Sequence, residues 1–172
     1  MPQSIFLVGP MGAGKTTIGK KLAEQRGLCF VDSDHEIEER TGVDIAFIFE
    51  KEGEEGFRKR EEQVIEDLSA RAGIVLATGG GAILRADNRR LLKSRGYVVY
   101  LHASVAQQFA RVERSENRPL LAQGDRREIL ARLFAERDPL YREVADLVLD
   151  TDGKNAKLLA RDIELAITAV TP

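Results

Sequence analysis

The segment that most constrains this chain is Gly9-Pro10-Met11-Gly12-Ala13-Gly14-Lys15-Thr16, which follows the apolar run Ile5–Val8 and opens a helical pattern. It fits G-x-x-x-x-G-K-[ST] at every fixed position, a match that arises by chance in roughly one chain in a hundred of this size. The mechanics of the motif demand this context: a strand delivers the loop, and a helix leaves it. Glycines let successive backbone N–H groups face one anion, and the helix N-terminus adds its dipole. Lys15 then supplies a point charge to phosphates, and Thr16 and its neighbour Thr17 stand at the start of the helix, with the Thr16 hydroxyl suited to a divalent cation. The plain alternative is a glycine-rich turn that carries a surface lysine.

With 172 residues, the chain is long enough for one good core. No repeat, low-complexity stretch or Pro/Gly/Ser-rich linker divides it, so residues 1–172 are read as one domain. Five short apolar runs, at Ile5–Val8, Cys29–Asp32, Ile74–Ala77, 97–101 and 147–149, alternate with longer helical patterns. Helices are expected at 15–25, where Ile18, Leu22 and Ala23 share one side, then at 34–71, 87–95, 104–113, 126–144 and 155–169. The second of these is expected to break near Thr41-Gly42 and again over 52–56, where a kink at Gly53 and Gly56 would aim Arg58. The alternation predicts an α/β fold with a mostly parallel sheet covered on both faces.

Lys and Arg number 26 against 28 Asp and Glu, a formal charge of −2. That balance gives no long-range attraction for nucleic acid or an anionic membrane, so neither is expected as a partner, and a bound anion must be caught by local donors. The apolar runs fall far short of the roughly 20 residues that a membrane-spanning helix needs. The first residues carry neither a basic leader nor a small-residue cleavage site, so no targeting peptide is expected. Cys29, the one cysteine, excludes an internal disulfide and a multi-cysteine zinc site. A soluble, cytoplasmic monomer is the expectation. Cys29 is read as a small buried apolar residue, and His35 and His102, with no partners at metal-ligand spacing, as structural.

Loops of this kind are often served by an acid at the end of a second strand, which holds magnesium. Ile74–Ala77 ends in Thr78 and three glycines, and the run at 97–101 ends in His102, so neither delivers a carboxylate. The run Cys29–Asp32 does, in Asp32-Ser33-Asp34. If the extended geometry persisted, Asp32 and Asp34 would point to the same side, at the sheet edge where open α/β folds bind ligands. Asp32 is assigned to the magnesium shell, and Asp34 to an acceptor hydroxyl as base or orienting group. Helix capping is the alternative, more for Asp34 than for Asp32.

Arg58, just after the glycine pair, and Arg137, in Glu136-Arg137-Asp138-Pro139, are candidates for gripping a carboxylate. Gly79-Gly80-Gly81 removes side chains where a ligand could approach the backbone. The polar stretch at 114–125 reads as a lid that excludes water, with Arg118 poised over the closing site. Each has an ordinary reading as well: solvated charges, a tight turn and an exposed connection.

Taken together, Gly-Pro-Met-Gly-Ala-Gly-Lys-Thr-Thr at 9–17, Asp-Ser-Asp at 32–34, Gly-Glu-Glu-Gly-Phe-Arg at 53–58, Ala-Thr-Gly-Gly-Gly-Ala at 77–82, Arg-Pro-Leu-Leu at 118–121 and Arg-Asp-Pro-Leu-Tyr at 137–141 resemble the shikimate kinases over nearly the whole length. The resemblance implies a three-layer α/β/α fold with a five-stranded parallel sheet of order 2-3-1-4-5. It also implies transfer of the γ-phosphoryl of ATP to the 3-hydroxyl of shikimate, with Mg²⁺ as cofactor. It places the acceptor on Asp34, Arg58, Gly80 and Arg137, within a helical region of about 33–61. It assigns Gly12, Ala13, Gly14, Lys15, Thr16 and Thr17 to the ATP phosphates, Arg118 to the lid, Arg111 to stacking on the base, and Lys154 to a variable adenine-side position. Lys15, Asp34 and Arg118 are the catalytic set so implied, with Thr16 and Asp32 on the metal. Thr16 stands where the family's pattern has Ser, and either hydroxyl suits magnesium.

Two rivals are a small P-loop kinase for gluconate or a nucleoside monophosphate, and a nucleotide-binding regulatory module without transfer activity. Against the second, Lys15, Asp34, Arg58 and Arg137 are all present.

Overall fold

The computed structural model describes residues 3–113 and 125–171. Its five strands, β1 (Ile5–Val8), β2 (Cys29–Asp32), β3 (Ile74–Ala77), β4 (Tyr97–His102) and β5 (Leu147–Asp150), form one parallel sheet in the order β2-β3-β1-β4-β5. Among the described residues, seven helices surround it: α1 (Lys15–Arg26), α2 (Ser33–Thr41), α3 (Ile45–Ser69), α4 (Ala86–Arg95), α5 (Val105–Val112), α6 (Arg126–Val144) and α7 (Ala156–Val170), with a short 3₁₀ turn at Ala82–Leu84 after β3.

The unbroken apolar run of β1 is buried throughout because both faces of the sheet are covered. Ile5 and Leu7 pack with Ile18 and Leu22 of α1 and Leu159 and Ile163 of α7. Phe6 and Val8 turn the other way, toward Ile65 and Leu68 of α3, Leu92 of α4 and Tyr141 of α6. Alternate side chains of one four-residue strand thus feed two cores. The chain leaves β1 toward one layer and β3 toward the other, which opens a crevice at their adjoining C-terminal ends, where open α/β folds bind ligands.

Element ends fall within a residue or two of the expected positions, with three informative differences. First, the extended geometry does not continue through Asp32-Ser33-Asp34: α2 begins at Ser33, and Asp32 is its N-cap. Capping falls on Asp32 and not on Asp34. Second, the break over 52–56 is confined to Gly53, whose φ of 72° and ψ of −177° kink α3 while helix continues on both sides. Gly56 is helical, and a Cβ there would strike the Glu52 side chain. Third, Cys29 is exposed, because it starts an edge strand whose first residue reaches beyond the helical cover. Among the described residues, no helix is long and apolar enough to cross a membrane.

Candidate active site

The phosphate loop leaves β1 at Gly9, where φ is 147° and a Cβ would come 2.5 Å from the Leu101 carbonyl oxygen. Only glycine lets the loop pass so close over the end of β4. Lys15 opens α1, and its Nζ donates to the carbonyls of Gly9 (2.6 Å) and Pro10 (2.8 Å), so the ammonium lies in the curve of the loop. Thr16 Oγ1 donates to Asp32 Oδ2 (3.3 Å). The other oxygen of Asp32 accepts from the backbone N–H groups of Asp34 (2.9 Å) and His35 (3.2 Å). One carboxylate therefore ties the start of α2 to the start of α1.

Gly12, Gly14, Lys15, Thr16, Thr17 and Arg111 line this cleft of about 300 Å³ together with Asp32, Asp34, Gly79 and Gly80. Arg111 lies along the loop: a Cβ on Gly14 would be 3.3 Å from its Nη1. Ala13 is in the core rather than the cleft lining, and its N–H closes the turn onto the Pro10 carbonyl (3.4 Å). Lys154 sits on the exposed turn after β5, outside the cleft lining. Arg118 and all of the expected lid except Asp125, which caps α6, lie outside the described residues.

Beside the phosphate cleft is a cavity of about 290 Å³ that gathers Asp34, Arg58, Gly80 and Arg137. Met11, Asp32, Asp34, Gly79 and Gly80 belong to both walls, so the two spaces are continuous. Apolar groups complete the second cavity: Ile45, Phe49 and Phe57, with the two phenyl centroids 4.9 Å apart.

The three glycines explain how these groups come together. A Cβ on Gly79 would lie 2.6 Å from Asp34 Oδ1 and 3.0 Å from Glu61 Oε2. One on Gly81 would fall onto the Arg58 guanidinium, and one on Gly80 would lie 3.5 Å from Arg137 Nη1. At Gly79 and Gly81 the absent side chains make room for the protein's own carboxylates and guanidinium group, whereas at Gly80 a Cβ would make only an ordinary contact. Gly81→Ala should therefore push Arg58 out of place and raise the acceptor KM about tenfold or more, with the ATP KM unchanged. Equal changes in both constants would contradict this account.

Sequence reasoning missed three supports of the site. Glu61, fully buried, pairs with Arg58 at 2.9 Å, and burial pushes its carboxyl pKa up against the pull of Arg58 and Arg137. Ser33 Oγ accepts from the Gly79 N–H (3.0 Å). Tyr141 Oη donates to the Gly80 carbonyl (2.5 Å). The i, i+3 spacing of Arg58 and Glu61 and the i, i+4 spacing of Arg137 and Tyr141 were readable as helical neighbours; the Ser33 contact, 46 residues apart in sequence, was not.

A phosphate loop that opens onto a cavity with two arginines, a carboxylate and an apolar wall defines a P-loop phosphotransferase for a small anionic acceptor. The family model for shikimate kinase matches residues 11–168. A shikimate kinase from Shewanella frigidimarina is 57% identical over 161 residues, 94% of each chain. Among solved structures, a shikimate kinase from Acinetobacter baumannii in complex with shikimate superposes with a TM-score of 0.96 at 53% identity, covering 98% of this chain and 94% of that one. A gluconokinase from Sinorhizobium meliloti, with a TM-score of 0.64 at 17% identity, shares the fold alone. The chain belongs to the shikimate kinase family.

Proposed function

We propose that this chain transfers the γ-phosphoryl of ATP to the 3-hydroxyl of shikimate, with Mg²⁺ held at Thr16 and Asp32. One observation carries the residue assignment: a single cavity joins Asp34, Arg58, Gly80 and Arg137, and it shares a wall with the phosphate cleft. Arg58 and Arg137 hold the acceptor's carboxylate as charge-assisted donors, with the Gly80 backbone between them. The apolar wall of Ile45, Phe49 and Phe57 faces the ring carbons. The acceptor hydroxyl then meets Asp34 at the border with the phosphate cleft, where the carboxylate orients it and takes its proton. This segment, about 33–61, is the acceptor-binding region.

The transferring group passes through a loose transition state whose charge spreads over its oxygens, so stabilisation comes from positioned charges. Lys15, whose ammonium would exchange the Gly9 and Pro10 carbonyls for the phosphate oxygens, and the loop amides supply that charge, joined by Arg118 from the lid. Arg111 lies along the nucleotide side, and Lys154 contributes at the adenine end. The residues present fit a magnesium ion: a hydroxyl and a carboxylate oxygen already meet at 3.3 Å at the mouth of the loop, an all-oxygen pairing suited to a hard cation. Thr16 and Asp32 would hold the ion, which would supply positive charge against the phosphates. Both substrate sites are built within one chain, so a monomer suffices, and the cytoplasm, where ATP is held, is the proposed location.

Coupled ADP release with shikimate, gluconate and AMP tests the assignment. Turnover with shikimate alone is expected; comparable turnover with gluconate or AMP would overturn the acceptor reading.

A further inference from the structure

Tyr141 is one of the most deeply buried side chains in the protein, 1% exposed, yet its hydroxyl has a defined target. It donates to the Gly80 carbonyl at 2.5 Å. Its ring is fixed independently of that bond: it packs against Tyr100 with centroids 4.8 Å apart, and Tyr100 is itself tied to Asp138 through a 2.6 Å hydrogen bond. Arg137, one helical turn before Tyr141 on α6, lies close enough for its charge and hydrogen bonding to pull the phenol's pKa down against a stronger upward push from burial, leaving it at about 12. The phenol is therefore a donor at any working pH.

Tyr141 does not belong to the lining of the acceptor cavity; it stands behind the glycine turn, in a small apolar recess with Met11, Leu130 and Phe134. The peptide between Gly80 and Gly81 is trans, so a carbonyl pulled back toward α6 turns the Gly81 N–H the opposite way, toward the cavity. The turn is braced at its ends, where the Ala82 N–H donates to the Gly79 carbonyl and the Leu84 N–H to the Gly81 carbonyl (both 3.1 Å), and Tyr141 adds the side-chain bond made to the peptide between its two central glycines. The same peptide links the glycine beside Arg137 to the glycine beside Arg58.

We infer that Tyr141 is a positioning residue for the acceptor carboxylate: its hydroxyl sets the Gly80-Gly81 peptide plane and, together with Arg137 on the same helix, holds the backbone and guanidinium donors in one fixed geometry. Nothing in this role requires contact with the substrate. The inference rests on the reading that Arg58, Gly80 and Arg137 receive the acceptor's carboxylate.

The test is steady-state kinetics and thermal melting of Tyr141→Phe, Tyr100→Phe and Arg137→Lys. Tyr141→Phe keeps the ring and its packing but leaves the Gly80 carbonyl without its donor. The shikimate KM should rise about tenfold, with the ATP KM unchanged and kcat lowered less than about threefold. Tyr100→Phe, which removes the Asp138 bond one layer further from the site, should lower the Tm and leave the shikimate KM alone. A shikimate KM that is unchanged in Tyr141→Phe, or that rises equally in Tyr100→Phe, overturns the inference. Arg137→Lys separates the two levels of the argument. If it fails to raise the shikimate KM, the carboxylate site itself is misassigned and the inference falls with it. If it raises the KM and Tyr141→Phe does not, the inference alone is wrong.

Discussion

Asp34→Asn should lower kcat by about 10²- to 10⁴-fold while the ATP KM stays within about twofold. The size of the effect follows from placement. Asp34 lies in the first turn of α2, on the wall shared by the phosphate cleft and the acceptor cavity, from which its side chain can reach an acceptor hydroxyl facing the γ-phosphoryl group. Asparagine keeps the shape that packs against Gly79, so the turn is preserved and only the charge and proton-accepting power are lost. The adjacent Asp32 cannot substitute, because one of its oxygens caps α2 and the other accepts from Thr16. Wild-type turnover in Asp34→Asn would reduce this residue to a packing partner of the glycine turn.

Arg58→Ala should raise the shikimate KM about 10- to 100-fold, the loss expected when a hydrogen bond to a charged group is removed, and leave the ATP KM nearly unchanged. It should also destabilise the protein. Arg58 is 6% exposed and neutralises Glu61, which is fully buried, so truncation strands a carboxyl group in the core at a cost of about 3–5 kcal/mol. The double change Arg58→Ala with Glu61→Gln separates the two effects: the Tm should recover substantially while the shikimate KM stays high. If KM recovered with Tm, Arg58 would be a structural residue and the carboxylate would bind elsewhere. An equal loss for ATP and shikimate would likewise exclude the assigned role.

The parts of the fold that were legible in the sequence are those in which one local rule dominates. Ile5–Val8 and Ile74–Ala77 are continuous apolar runs because each strand is sandwiched between helical layers. The phosphate loop announces itself because its geometry admits few residue types. Strand order is a long-range property that periodicity does not encode, and it came from family resemblance, not from residue pattern. Cys29 was misjudged because nothing in Cys29–Asp32 marks β2 as an edge strand, and edge position alone leaves its first residue in solvent.

The site was legible in its charged members and not in what holds them. Asp34, Arg58 and Arg137 stand out by chemistry, Gly80 as a site residue rests on the family resemblance, and all four line one cavity. The glycines at 79–81 looked like space for a ligand; they give space first to Asp34 and Arg58. Asp32 and Asp34 were expected to share a side by strand geometry, yet they reach the same cleft because a helix starts between them and turns Asp34 inward.

The most direct measurement is a crystal structure with shikimate, Mg²⁺ and a non-hydrolysable ATP analogue bound together. The account predicts the shikimate carboxylate between Arg58 and Arg137 at the Gly80 backbone, and the 3-hydroxyl within hydrogen-bonding distance of Asp34, facing the terminal phosphate at Lys15. Shikimate bound outside this cavity, or lying in it with its carboxylate toward the phosphate loop, would contradict it.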